Sequence, residues 1–249
     1  MKVSVITAVL NNKDHLKDNL ESVATQGYPD IEHIVVDGGS TDGTLEIFGA
    51  HQDGKTTFIS EPDQGIYDAL NKGIRRSTGH IIGILHADDL YANDRVIERV
   101  VQVFQSRKVE SCYGDLQYVD KHRIDRVVRH WRSSPYTHGK FRYGWMPPHP
   151  TFFAKKEIYE QLKGYDPRFR IAGDYELMLR YLEIHKISTF HIPEVLVKMR
   201  HGGVSNRSLK DLATKSYEDY LAWKVNHLTF HFYTLLLKQV TKLPQFFLR

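Results

Sequence analysis

One cysteine, Cys112, stands in a chain of 249 residues. A lone thiol closes no intrachain disulfide, so nothing here asks for an oxidising compartment, and the expected role is a packed core thiol. Long apolar runs are missing too. Near the C-terminus the longest stretch free of formal charge is 225–237, short of the ~20 residues a bilayer-spanning helix needs. At the other end Lys2 precedes only a short apolar run, Val3 to Leu10, which Asn11, Asn12, Lys13 and Asp14 interrupt. No small-residue cleavage pattern follows, so a first strand is expected there instead of a secretory leader. Charge of either sign is scarce in excess: the net value is +4. That is too mild to indicate nucleic acid, though compatible with nucleotides or an anionic lipid surface. With 17 Gly, 9 Pro and 41% hydrophobic residues, collagenous and disordered classes are excluded. The absence of an internal repeat excludes solenoids. At a prior of roughly 150 residues per domain, one large domain with an appendage fits the length.

What is there is a repeated switch of hydrophobic period. Val3 to Val9 and Ile31 to Val36 read as strands, with Leu16, Leu20 and Val23 at helical spacing between them and a short helix from Thr44 after them. The series continues with a strand at Thr57 to Ser60, a helix near Tyr67 to Arg76, a buried strand at His80 to Leu85, and a helix carrying Val96, Val100 and Phe104 on one face. Alternating strands and helices imply a parallel sheet covered on both faces. Such sheets bind ligands beyond the carboxyl ends of their strands, which directs attention to the loops after Val9, Val36, Ser60 and Leu85. The second half is less regular. Strands are expected at Ser111 to Val119 and Val127 to Arg132, a Pro/Gly/aromatic loop from Ser133 to Pro150, and helices at Lys155 to Leu162, Asp174 to Glu183 and from Leu209.

The segment Asp37-Gly38-Gly39-Ser40-Thr41-Asp42-Gly43-Thr44 is a glycine-rich strand-to-helix turn. It fits neither the dinucleotide fingerprint nor the P-loop. It leaves Asp37 at a strand tip, able to accept from a base or ribose, with Ser40 and Thr41 equally suited to helix capping. His86-Ala87-Asp88-Asp89 places adjacent carboxylates just after a buried strand. A hard divalent cation sharing its shell with phosphates would offset their charge, while a helix entry would use the same pair as caps. Asp174, in Ala172-Gly173-Asp174-Tyr175, opens a helix and is a candidate general base if it faces the same cleft as Asp88. That proximity cannot be read from sequence.

The ordered set VSVITAVLNN, HIVVDGGSTDGT, SEPDQGIYDALNKGI, GHIIGILHADD, MPPHPTFF and GDYELMLR resembles the bacterial inverting nucleotide-sugar glycosyltransferases of family 2, over residues 2 to about 223. The resemblance implies a GT-A fold: an α/β, Rossmann-like, mostly parallel central sheet flanked by helices. A C-terminal helical extension would follow, giving a glycosyltransferase domain at 1–223 and an amphipathic tail at 224–249. Thr7, Ala8 and Leu10 would cradle the base and Asp37 would bind base or ribose. Asp63 and Asn71 would border the nucleotide pocket. The family's Asp-x-Asp metal motif falls on His86-Ala87-Asp88, where His replaces the first Asp. The implied ligands of Mn²⁺ or Mg²⁺ are therefore Asp88 and Asp89, with His201 completing the shell. Asp174 matches the catalytic base, and Gly173 stands where a second acidic residue is common. Trp145 and His149 are candidates for holding the acceptor.

The implied reaction is one displacement with inversion, transferring a single sugar from a nucleotide sugar, UDP-linked by resemblance, to a hydroxyl of a saccharide or lipid-linked saccharide during cell-surface polysaccharide synthesis. Gln-x-x-Arg-Trp and transmembrane helices, which mark processive synthases, are missing. The expected location is the cytoplasm, at the inner face of the membrane if the tail's Phe, Leu and Tyr residues and its flanking Lys224, Lys238, Lys242 and Arg249 lie in an anionic bilayer surface. The same segment would serve equally as a core or dimer helix. No nucleic-acid partner is expected. Two rivals stand beside this reading: a sugar nucleotidyltransferase, whose Gly-x-Gly-Thr-Arg loop is absent after the first strand, and a nucleotide-sugar-binding regulatory module with lapsed catalysis, which His86 and Gly173 make conceivable.

Overall fold

The computed structural model describes residues 1–51, 53–202 and 209–241. Strand β1 (Val3–Val9) is buried along its whole length, because it pairs in parallel with β2 (Ile31–Asp37) on one side and β4 (Ile81–Ile84) on the other. Helix α1 (Lys13–Ala24) crosses between β1 and β2 and buries Leu16, Leu20 and Val23, the i, i+4, i+7 stripe that the sequence shows. After α2 (Thr44–Ala50) comes β3 (Thr56–Ser60), parallel to β2. Then α3 (Ile66–Arg76) buries Tyr67, Ala69, Leu70, Gly73 and Ile74. Gly73 is required there: a Cβ would stand 2.4 Å from Ile6 Cγ2, so the glycine lets α3 lie close on the sheet.

The acidic pair is followed by a two-residue strand, β5 (Leu90–Tyr91), instead of a helix. Asp88 and Asp89 are therefore not helix caps, and α4 (Val96–Arg107) begins later. Strand β6 (Ser111–Val119) then runs parallel to β9 (Thr189–Arg200) and antiparallel to β7 (Val127–Trp131) and β8 (Phe153–Lys155). The sheet order is β3-β2-β1-β4-β8-β6-β9-β5, with β7 on the edge of β6. The parallel half matches the expectation. In the second half the antiparallel β8 separates β4 from β6, which makes the whole a mixed sheet.

Between β8 and β9 lie α5 (Lys156–Leu162) and α6 (Gly173–Leu179), the latter continuing into a π-turn at Arg180–Ile184. Helix α7 (Leu209–Val225) packs on α6, burying Trp223, whose Nε1 donates to the Tyr175 hydroxyl at 2.9 Å. The boundary expected at 223/224 thus falls inside a helix. Leu228 and Phe230 continue onto the same core. Helix α8 (Tyr233–Val240) turns a polar side to the protein. It buries Thr234 and Lys238 and leaves Phe232, Leu236 and Val240 exposed, because Lys238 Nζ forms a buried ion pair with Asp219 at 2.7 Å. Lys242, Phe246, Phe247 and Arg249 of the expected tail lie outside the described residues. No described helix is long and apolar enough to cross a membrane.

Candidate active site

The carboxyl ends of the parallel strands meet at one rim of the sheet. Asp37, at the tip of β2, is fully buried and held by its own loop. It accepts from Gly39 N (2.9 Å), Ser40 N (3.0 Å), the Ser40 hydroxyl and Ser60 Oγ (2.8 Å). Burial pushes this carboxyl up, but those donors outweigh it and hold it below the ordinary carboxylate range. Asp63 closes on the same loop, its Oδ2 so near Gly38 that a Cβ there would be 2.3 Å away. The β2 and β3 loops therefore form one acidic corner. Ala8 is buried at the end of β1, and Leu10 is exposed beside it.

Two of the expected nucleotide contacts face elsewhere. The Thr7 side chain is fully buried, donating to Leu85 O at 2.8 Å and touching His33 Nε2 at 2.9 Å. Asn71 uses both ends of its amide on Tyr165, donating to its carbonyl at 2.8 Å and accepting from its N–H at 2.9 Å. The polar atoms of both residues are already engaged with the protein.

The His86–Asp89 turn is fixed from two sides. Asn19 of α1 donates to the carbonyls of His86 (2.9 Å) and Asp89 (3.0 Å). Arg200, at the end of β9, donates to Asp88 O at 2.8 Å and pairs with Asp18. Within this turn the two carboxylates separate. Asp88 is half-buried at the rim, whereas Asp89 points inward, fully buried, both oxygens without a hydrogen-bond partner. Burial first, and then the neighbouring Asp88, push the Asp89 carboxyl well above its usual range, against the opposing pull of Arg200. His201 is exposed, its N–H bonded to Val119 O at 2.9 Å.

Among the described residues, the group whose ligand atoms lie close enough to share a cation is His86, His149 and Asp174, all within 4.8 Å of one another. The structure gathers this trio and not Asp88, Asp89 and His201, because Asp89 faces the core. Three distant pieces of chain build it. His86 follows β4. His149 is carried by a 3₁₀ turn (His149–Thr151) before β8, and its ring lies 5.5 Å from that of His86. Asp174 opens α6. The preceding loop is held by Glu218 of α7, which accepts from the N–H groups of Arg170 (3.0 Å), Ile171 (2.8 Å) and Ala172 (2.7 Å). Glu218 escaped sequence reasoning, since nothing local marks a residue on α7 as the cap of a loop 46–48 positions away. Tyr67 is the other partner: its hydroxyl lies 3.2 Å from Asp174 Oδ2 and 2.8 Å from Ile171 O.

The donor set suits a cation. Burial pushes the His149 imidazole down to about 4, helped by His86 and Lys215 and opposed by Asp174 and Asp88, so at neutral pH its ring nitrogen keeps a free lone pair. His86 Nδ1 is buried without a partner, a cost that a ligated ion would remove. Two imidazoles with a carboxylate favour Mn²⁺ or a similar transition ion over Mg²⁺. Beside the trio, a small cavity of about 10 Å³ is lined by Phe152, Tyr165, Leu177 and Met178 together with His149 and Asp174.

The sequence profile described as "Glycosyl transferase family 2" matches residues 4–172. An uncharacterized glycosyltransferase of Mycobacterium tuberculosis (strain H37Rv) is 34% identical over 183 residues, covering 72% of this chain and 68% of that protein. A PGL/p-HBAD biosynthesis glycosyltransferase of Mycobacterium bovis is 27% identical over 208 residues, covering 82% and 78%. Among solved structures, S. aureus TarS 1–349 in complex with UDP-GlcNAc superposes with a TM-score of 0.71 at 15% identity over 91% of this chain. This chain spans 65% of that one. The mannosyltransferase PcManGT from Pyrobaculum calidifontis, in complex with GDP-Man and Mn²⁺, gives 0.64 at 20% identity, covering 96% of this chain and 73% of that one. At such identities the structural likeness establishes a common fold.

Proposed function

This chain belongs to glycosyl transferase family 2 and has the GT-A fold, and from that premise we propose that it is an inverting, metal-dependent, non-processive transferase of one sugar from a nucleotide sugar to a saccharide hydroxyl. The observation that carries the reading is that His86, in the loop expected to face the diphosphate, lies within 4.8 Å of Asp174. The metal-motif loop and the candidate base therefore share one cleft. The base and ribose would rest against Ala8, Leu10, Asp37 and Asp63, with Thr7 and Asn71 behind them. His86 and Asp88 would hold the cation, with His149 beside them. A bound Mn²⁺ or Mg²⁺ would supply electrostatic stabilisation of the nucleoside diphosphate as its charge grows. Asp174 takes the proton from the acceptor hydroxyl, Tyr67 orients that carboxylate, and the acceptor oxygen displaces the diphosphate from the opposite face of the anomeric carbon.

His149 and Trp145 lie on the acceptor side, on the chain between β7 and β8. A UDP-linked donor and a lipid-linked acceptor at the cytoplasmic membrane face remain part of the proposal. The relative named for PGL/p-HBAD biosynthesis and the exposed Phe232, Leu236 and Val240 of α8 support the acceptor and the location respectively. Asp174→Asn is the decisive variant. If Asp174 is the base, transfer falls roughly 10²-fold or more while Mn²⁺ and nucleotide-sugar affinity stay at the parent's values in calorimetry. A parallel fall in Mn²⁺ affinity would make Asp174 a metal ligand, and turnover within a few-fold of the parent would remove it from the chemistry.

A further inference from the structure

A second cleft, open to solvent and with a volume of about 140 Å³, lies between the end of β7, the loop that follows it, and α8. It shares no lining residue with the Asp174 cavity. Trp131 and Trp145 line it together with Arg132, Ser133, Ser134 and Met146. The walls are held firmly. Trp145 is wedged among Tyr113 (5.8 Å), Tyr136 (5.5 Å) and Phe141 (5.7 Å), and Trp131 stacks on Tyr118. Ser133 N donates to Asp115 Oδ1 at 2.8 Å, and Ser134 O accepts from the Tyr113 hydroxyl at 2.8 Å. The α8 wall abuts Gly144 so closely that a Cβ there would sit 2.3 Å from Lys238 N. Helix α8 is tied down by Thr234 Oγ1 donating to Arg142 O at 2.8 Å.

The chemistry of this lining is selective. It contains no carboxylate, which disfavours a cation. Trp131 keeps one ring face against Tyr118, Trp145 presents what its aromatic neighbours and Lys140 leave uncovered, and both indoles carry N–H groups able to donate. Arg132 is exposed and adds further donors, and the Ser133 hydroxyl is buried without a partner, an unsatisfied group of the sort a bound hydroxyl compensates. Flat apolar faces edged by donors match a pyranose, with its C–H face and its ring of hydroxyls. The loop that leaves this cleft at Met146 reaches His149, which lines the Asp174 cavity, three residues later.

Resting on the glycosyltransferase reading above, we propose that this cleft is a second carbohydrate subsite, which holds a pyranose of the acceptor other than the one that reacts. The enzyme then recognises an oligosaccharide, gripping an inner unit while the terminal hydroxyl meets Asp174. The probes are methyl glycosides of glucose, galactose, mannose, N-acetylglucosamine, rhamnose and glucuronic acid, added to the full chain at up to tens of millimolar. Tryptophan fluorescence and saturation-transfer NMR follow the binding. Trp223, the third tryptophan, is buried away from solvent, so a saturable fluorescence change reports on Trp131 and Trp145. At least one glycoside is expected to bind saturably, with affinity reduced at least about tenfold in both Arg132→Ala and Ser133→Val. UDP-sugar affinity, measured in the same variants, is expected to stay at the parent's value and shows that they are folded. Absence of saturable binding by every glycoside, or binding that survives in both variants, overturns the subsite. Failure of every nucleotide sugar to bind the parent would instead sink the transferase reading and leave a glycoside result standing by itself.

Discussion

Gly173→Ala should damage both stability and transfer, through one contact. A Cβ at position 173 would lie 2.6 Å from Cε2 and Cζ of Tyr67 and 2.9 Å from its Cδ2, well inside contact distance. The ring has nowhere inexpensive to go. Tyr67 is 3% exposed, stacks on Tyr165 at 5.2 Å, and is bonded through its hydroxyl to Ile171 O and Asp174 Oδ2. Overpacking of this kind costs about 1–3 kcal/mol. Alanine regains at most ~1 kcal/mol of helix propensity, and less at a first helical position. A net loss of about 1–2 kcal/mol corresponds to a melting temperature lower by roughly 2–8 °C in a domain of this size. Transfer should fall further than stability predicts, since the displaced phenol no longer orients Asp174. Thermal melting and turnover of Gly173→Ala, alone and in a Tyr67→Leu background, test the origin of the effect. With the ring removed, the alanine should be neutral, because the two sites are coupled only through that contact. A single variant that melts with the parent, or an equal penalty in both backgrounds, would falsify the reasoning.

Other outcomes follow from separate contacts. Glu32 is clipped by Lys2 Nζ (2.8 Å), Ser4 Oγ (2.5 Å) and the Thr78 hydroxyl (2.7 Å). Burial pushes its carboxyl up, but these partners outweigh it and bring it down to about 2. Because the folded value is depressed, its stabilisation is present above pH ~4.5 and is lost as pH falls towards 2. After a discount for partial exposure, Glu32→Gln should cost about 2 kcal/mol at pH 7 and about half that or less at pH 3, as read by urea denaturation at the two pH values. Lys238→Ala strands the buried Asp219 carboxylate and should cost about 3 kcal/mol or more, whereas Lys238→Met with Asp219→Leu should recover most of the loss. Equal melting of the single and double variants would count against a buried pair. His149→Ala should weaken Mn²⁺ binding at least about tenfold without changing UDP affinity measured in the absence of metal, and an unaltered Mn²⁺ titration would take His149 out of the ion's surroundings.

The parallel half of the fold was legible because its signals are local. Val3 to Val9 and Ile31 to Val36 are continuous apolar runs, as strands covered on both faces must be, and Leu16, Leu20 and Val23 mark the inner face of α1 without help from elsewhere. The loops after these strands were found for the same reason. Asp174 was legible as a helix opener, but its placement beside His86 was not, since that depends on β8 inserting between β4 and β6. The fate of Asp89 was equally hidden. Adjacent carboxylates look alike in sequence, and only the inward turn pinned by Asn19 and Arg200 separates the half-buried Asp88 from its fully buried neighbour. The orientation of α8 was hidden for a related reason. Its apolar residues suited a bilayer surface or a protein core alike, and the partner that decides its orientation, Asp219, sits on another helix.

The C-terminal helices are therefore bound up with the chemistry they follow in sequence. Glu218 grips the three N–H groups leading into Asp174. Its neighbour Asp219 holds Lys238, whose ammonium also lies 3.6 Å from the Tyr175 ring centroid. Tyr175 is the residue after Asp174, and its hydroxyl accepts from Trp223 of α7. From α8 to the candidate base there is thus an unbroken series of buried polar contacts, each costly to break because its partner would be left unsatisfied. A helix attached in this way cannot serve only as a detachable anchor. Whatever covers Phe232, Leu236 and Val240 bears on α8 from outside, while its inner side, through Lys238 and Asp219, fixes the helix that positions Asp174. Removal of residues after 225 should accordingly lower transfer as well as stability, and a truncated chain with the parent's turnover and melting temperature would break this line of argument at its first link.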